Sequence, residues 1–317
     1  MAGMGAARPE LRGLARVRDR LTFLYLEHCK IDRDASAIQV SDLEGDATVP
    51  VAMLTVLMLG PGTRISHRAM ELISDCGVST VWCGEHGVRY YAHGKALNAG
   101  TELLLRQAEI VTNTRRHLEC AKAMYAFRFP GEDLSGLSMQ QLRGREGSRM
   151  RKLYKEMAKE YGVEWKGRDY DPNHFASGSA MDRALSDCNA CLYGLAMAVI
   201  CALGLSPGLG IVHVGHERSL AYDIADLYKH STSIPVAFQL AADVRNKWDG
   251  KIPSDFDASA RRRMRDVFRE TGLLPRMVKD VMGLFSDGNC ADGADVLYLW
   301  DMKDLVAAGV RYREARA

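Results

Sequence analysis

Between residues 143 and 152 the chain runs Arg-Gly-Arg-Glu-Gly-Ser-Arg-Met-Arg-Lys, five basic residues around a single acid, Glu146. A carboxylate among so many cations strongly prefers to be ionised. The mixture suits a site where cations hold phosphates while the acid holds a metal, and it equally suits a surface helix laced with ion pairs. A second group lies downstream: Gly210-Ile211-Val212-His213-Val214-Gly215-His216, then Tyr222-Asp223-Ile224-Ala225-Asp226. Asp223 and Asp226 stand three apart, which puts both on one face of a helix, and His213 lies in a glycine-flanked stretch from which it can approach that face. Taken singly, the histidine is as readily structural and the aspartates as readily a solvated face. Taken together, Glu146, His213 and one or both aspartates form the mixed oxygen and nitrogen set that suits Mg²⁺ or Mn²⁺. Such an ion polarises a phosphoryl oxygen and orients the attacking hydroxyl or water.

Other chemistries find less support. Cys188 and Cys191 form a C-x-x-C, but within an apolar stretch that reads as a buried helix, and no second pair accompanies them. No phosphate-binding G-x-x-x-x-G-K-[ST] loop and no G-x-G-x-x-G after a strand is present. Residues 204–208 match G-x-S-x-G literally, yet Pro207 suits a turn better than a strand-to-helix elbow. With 42 Lys and Arg against 40 Asp and Glu, the net charge of +2 does not by itself argue for a nucleic-acid partner. Eight scattered cysteines without a secretory signal imply free thiols and a cytoplasmic location. No uninterrupted apolar run of about 18 residues indicates a membrane span. Arg8, Arg12, Arg16, Arg18 and Arg20 mark residues 1–20 as a solvated basic arm.

The elements that must position these residues fall into two classes. Residues 21–27, 38–40 and 51–59 are short, apolar or β-favouring, and bounded by turn formers. A helix over 66–75 leads to a hairpin, 78–83 and 88–92, around Gly84-Glu85-His86-Gly87. After residue 100, apolar residues recur at spacings of three and four over 103–127, 139–161, 181–203, 221–245 and 259–271, with Pro235 splitting the fourth stretch. The expected class is therefore α+β, an N-terminal antiparallel β domain (21–96) followed by a larger all-α catalytic domain (97–285) and a tail (286–317).

The strings LRGREGSRMRKLY, YDPNHF, CLYG and IVHVG…YDIADLYK, with PGTRISH, VWCGEHGVRYYA and EHCKID before them, occur in order across residues 20–245. On these the chain resembles the integrase subunit of CRISPR adaptation, in its type I-E form. The resemblance implies a β domain that mediates homodimerisation and a helical domain with metal ligands at Glu146, His213 and Asp226, Asp223 being an important acidic neighbour. It implies attack by the 3′-hydroxyl of a captured double-stranded DNA fragment on a phosphate of the CRISPR repeat. It also implies a small ferredoxin-like partner protein, one dimer of it flanked by two integrase dimers, and no membrane. By the resemblance, Arg64 and Arg89 fall at phosphate-contact positions, Arg143, Arg149 and Arg151 belong to a DNA-binding basic helix beside the catalytic carboxylate, and Tyr170 and Tyr193 fall at aromatic positions near the site. His28 stands where a related form has a tyrosine that stacks on the duplex end. His216 replaces a lysine that reads a short adjacent motif, with Tyr222 as its companion. A sequence-indifferent DNA nuclease and a non-catalytic DNA-binding scaffold are the competing functions.

Overall fold

A computed structural model describes residues 23–54, 56–85, 89–94, 101–167, 179–286, 298–300 and 305–307. The N-terminal part holds β1 (Phe23–Leu26), β2 (Lys30–Asp34), β3 (Ala37–Ser41), β4 (Asp46–Pro50), β5 (Val56–Leu59), β6 (Arg64–Ile65), α1 (His67–Asp75), β7 (Ser79–Cys83) and β8 (Tyr90–Gly94). They form two four-stranded sheets, in the orders β1-β5-β7-β8 and β4-β3-β2-β6. The β-rich part does precede a helical part, but its strand pairing is mixed. Antiparallel pairing holds for the β7/β8 hairpin and for β2/β3/β4, while β1/β5, β5/β7 and β2/β6 are parallel. The reason is connectivity. Between β1 and β5 the chain leaves to build the second sheet, and α1 carries it over from β5 to β7, so neither return is a tight hairpin. Residues 51–53, expected as strand, form a 3-10 turn after Pro50.

Strand β5, Val-Leu-Met-Leu, is buried on both faces, the pattern of a strand inside a covered sheet. Alternation sends Leu57 and Leu59 into a core with Leu24, Ile31, Ile38 and Ile73, and sends Val56 and Met58 into the helical core with Leu185 and Leu192. The first sheet is thus the wall between the two cores.

The helical part comprises α2 (Glu102–Thr112), α3 (Thr114–Arg128), α4 (Met139–Tyr161), α5 (Ala180–Ala202), α6 (Ser219–Asp226), α7 (Ser233–Lys247), α8 (Phe256–Glu270) and α9 (Leu273–Phe285), followed by a short antiparallel pair, β9 (Tyr298–Trp300) with β10 (Leu305–Ala307). The stretch expected as one helix over 103–127 divides at Asn113, whose side chain accepts from the amides of Arg115 and Arg116 and starts α3. The 221–245 stretch divides at residues 227–232 and not at Pro235. That proline sits in the first turn of α7, where a missing N–H costs nothing. Helix α5 is long and apolar enough to cross a membrane by length and composition, yet 72% of that stretch is buried inside the molecule. Cys188 and Cys191 are buried in it as free thiols, as core packing predicts.

On α5, Asp187 bears a buried Oδ2 without a hydrogen-bond partner. Burial and the neighbouring Asp257 charge push its pKa up from 3.8 to about 6. A raised carboxyl pKa favours folding below the unfolded value and loses that contribution as pH climbs through the folded one. Asp187→Asn is therefore expected to raise the melting temperature at about pH 8 and to give little gain at about pH 4. Thermal denaturation of both proteins at the two pH values checks this; an equal shift at both would contradict it.

Candidate active site

His213 is carried on the segment between α5 and α6, which has no regular structure of its own and is held from four sides. From α2, the fully buried Gln107 donates to the carbonyls of Ser206 (2.7 Å) and Leu209 (2.8 Å) and accepts from the Ser206 amide (2.8 Å). Residues 207–208 form a turn there, as Pro207 implies. From α3, His117 Nε2 meets the Ile211 carbonyl at 2.7 Å, and from α4 Arg143 donates to the Val212 carbonyl at 2.7 Å. Gly210 is obligatory, since an added Cβ would lie 2.0 Å from the His213 carbonyl oxygen. Gln107→Leu strands two carbonyls and an amide, and a loss of about 3 kcal/mol in denaturant unfolding is expected. A loss within experimental error of zero would show that the clamp does not matter.

The fourth support comes from α6. Asp223 is almost fully buried, and its Oδ2 accepts from the amides of Ile211 (2.6 Å) and Val212 (3.0 Å). Its Oδ1 accepts from the His213 amide (2.9 Å) and pairs with His213 Nδ1 at 2.7 Å. With every near donor taken up, Asp223 shapes the loop and orients the ring, and is not itself a free ligand. The hydrogen bond that His213 Nδ1 donates to Asp223 raises the His213 pKa. Carboxylate pairing at Nδ1 leaves Nε2 as the nitrogen available to a ligand.

Glu146, in the N-terminal third of α4, accepts from the Tyr125 hydroxyl at 2.8 Å and forms an ion pair with Arg128 that is largely buried on both sides. Burial and this bond push the Tyr125 pKa up. Asp226 lies beside Lys229, whose Nζ is 2.6 Å from Oδ1. Oδ1 is thus charge-paired with a largely buried ammonium. Burial alone would lower the Lys229 pKa, but the Asp226 charge and Tyr193 raise it. One small cleft is lined by Met124, Tyr125, Arg128, Val212, Asp223 and Asp226, so the partners of Glu146 and both aspartates share it.

His213 and Asp226 are neighbours, and Glu146 reaches the same cleft only through its partners Tyr125 and Arg128. Among the described residues, no three carboxylate, imidazole or thiol groups stand together closely enough to hold a metal ion. Each of the two outer carboxylates is turned onto a cation, Glu146 onto Arg128 and Asp226 towards Lys229. The donor types nevertheless fit a hard divalent ion. Asp226 would contribute a buried carboxylate now paired with Lys229 and His213 a ring fixed through Nδ1, and Glu146 would have to leave Arg128 to join them.

Around this site stands an aromatic group. Tyr222 meets Tyr193 edge-on at 4.9 Å and His213 at 5.9 Å, and His216 tilts against it at 5.3 Å. Tyr222 thus links Tyr193 and His216 to His213. Arg151 is exposed, whereas Arg143 is spent on Val212 and Arg149 on an ion pair with Glu132. Arg64 and Arg89 are exposed on the β-rich part. His28 is exposed there too, in a left-handed conformation (φ 51°), with its amide donating to the Pro61 carbonyl. Tyr170 lies outside the described residues. Sequence reasoning missed Tyr125, Arg128 and Lys229. The i, i+3 spacing of Tyr125 with Arg128 and of Asp226 with Lys229 was the available signal.

The family model described as CRISPR associated protein Cas1 matches residues 23–129 and 133–264. The chain is 45% identical over 302 residues to a "CRISPR-associated endonuclease Cas1" of Clostridium sp. (strain SY8519), covering 94% of this chain and 98% of that one. Among solved structures it is similar to the protein of a TtCas1–DNA complex, with a TM-score of 0.78 and 40% identity over 85% of this chain and 98% of the other. A casposase bound to its integration product shares the fold at a TM-score of 0.60 and 13% identity, over 87% and 99% of the two chains.

Proposed function

The chain belongs to the CRISPR associated protein Cas1 family, and on that footing we propose a divalent-metal-dependent DNA endonuclease and integrase that inserts captured fragments into a CRISPR array. The observation that carries the reading is the Asp223–His213 arrangement, a buried carboxylate that fixes both the loop and the ring tautomer beside a second, largely buried aspartate paired with Lys229. Glu146, His213 and Asp226 are the residues that would hold Mg²⁺ or Mn²⁺. That ion would supply charge for the phosphate undergoing attack. The chain's own part is positioning: Asp223 orients His213, and Gln107 and Arg143 hold its loop, while Arg128 pairs with Glu146 until a metal ion takes its place. Phosphoryl transfer asks little more of a protein than alignment and electrostatic stabilisation.

DNA as ligand is supported by the relative solved as a DNA complex. Exposed Arg64, Arg89 and Arg151 supply cations for its phosphates. Binding is expected to weaken steeply with salt, the slope of log K against log salt being about −0.9 per phosphate contact. Anisotropy titrations at several salt concentrations measure it, and a flat response would exclude phosphate-led binding. The same reading makes the protein a cytoplasmic homodimer, two dimers flanking one dimer of a small ferredoxin-like adaptation protein.

One observation favours a second reading. Glu146 is held by Arg128 and Tyr125 and does not stand beside His213 and Asp226 in a metal-holding group, as a non-catalytic DNA-binding scaffold would allow. A strand-transfer assay with a supercoiled, repeat-bearing target separates the readings. Joined product that is lost in Glu146→Ala supports the integrase; nicking without joining marks a nuclease, and no reaction in Mg²⁺ or Mn²⁺ marks a scaffold.

A further inference from the structure

The loop between α3 and α4 carries an acid that the proposed chemistry does not use. Glu132 is exposed and follows Gly131, which adopts the left-handed conformation (φ 85°). Its carboxylate forms an ion pair with Arg149 and lies 3.8 Å from Arg145 Nη1. Arg145 and Arg149 are four apart on α4, so they share one face and converge on this single anion. Arg149 also lies over the Phe129 ring at 4.1 Å, a flat floor beneath the guanidinium. Arg145 is tied a second time, to the Asp133 carbonyl at 3.2 Å.

Two guanidinium groups around one carboxylate present the donors that a phosphodiester takes, because both anions offer two oxygens to a forked donor. The three side chains remain open to solvent, with 47% of Arg145, 23% of Arg149 and 35% of Glu132 exposed, so a ligand can reach them. The electrostatics favour a replacement anion. Burial and the nearby Arg128 both lower the Arg149 pKa, and Arg128 itself is taken by Glu146. A cation in that setting needs an anion whichever one it is.

We infer that Glu132 is an internal stand-in for a DNA phosphate: it closes a two-arginine phosphate site, Arg145 with Arg149, and is displaced when duplex DNA lies along α4. The inference rests on the DNA-binding reading given above. It makes Glu132 a brake on binding, since each phosphate seated there must first displace the carboxylate. The backbone of the loop is anchored independently by buried Leu134, packed with Tyr125 and Leu142. Neutralising Glu132 therefore leaves the loop in place.

The test is the affinity of the full chain for a labelled duplex in EDTA, read by anisotropy, so that no metal and no catalysis enters. Glu132→Gln is compared with Glu160→Gln, an exposed α4 position that changes the charge equally. Glu132→Gln is expected to bind about three- to fivefold tighter than Glu160→Gln. The difference is expected to vanish when Arg149→Gln is added. Equal affinities for the two single variants, or a gain that survives Arg149→Gln, would overturn the inference while leaving DNA binding intact. Binding by none of the proteins would overturn both it and the DNA-binding reading.

Discussion

Glu146→Gln is expected to abolish strand transfer and nicking, a fall of about a thousandfold or more, while DNA affinity in EDTA stays within about threefold of the unaltered protein. The amide keeps the size of the side chain and an oxygen for the Tyr125 hydroxyl, now at 2.8 Å. What it removes is the charge. That charge has two roles: it is the oxygen donor most suited to a hard cation, and it compensates the buried guanidinium of Arg128. Removing one partner of a buried pair is costly to stability, so a melting curve must accompany the assay. Activity lost with the melting temperature nearly kept supports the ligand role. If DNA binding disappears along with activity, Glu146 is part of the binding surface and the assignment fails.

The second large effect belongs to Asp223→Asn, and it separates positioning from ligation. Asp223 takes three backbone amides and the His213 ring, more acceptor duty than a neutral amide can match. An asparagine also offers an N–H₂ where the present oxygen pairs with Nδ1, so the ring is no longer held in one tautomer. The expected result is a metal requirement raised by about 10- to 100-fold, with activity partly recovered at saturating Mn²⁺. A titration of strand transfer against Mn²⁺ reads this directly. Activity beyond recovery at any concentration would make Asp223 a ligand in its own right; no change would make the His213 contact incidental.

Much of the helical half was legible because local physics writes it. The apolar spacing over 139–161 coincides with α4, which begins at a Ser138–Gln141 capping box and ends at left-handed Gly162. Strands β1, β3, β5, β7 and β8 were legible, but β2, β4 and β6 were not, and neither was strand direction. Parallel β1/β5/β7 pairing depends on where the chain travels between strands, which no single strand records. The site shows the same division. His213, Asp223 and Asp226 lie within one short span, and the Asp223–His213 contact joins residues only ten apart. Gln107, by contrast, grips a turn about a hundred residues later, and nothing near it in sequence announces a buried clamp. The basic run around Glu146 suited either phosphate contacts or a helix laced with ion pairs. Folding assigns Arg143 to a carbonyl and Arg149 to Glu132, and it brings in a buried cation from another helix, Arg128, that local charge could not reveal.

A crystal of the full chain soaked in Mn²⁺ and measured for anomalous scattering tests the ligand assignment most directly. One peak within coordination distance of Glu146, His213 Nε2 and Asp226, with the Glu146 side chain swung off Arg128, is the predicted result. A peak elsewhere, or no peak at saturating Mn²⁺ with Glu146 still on Arg128, would contradict it.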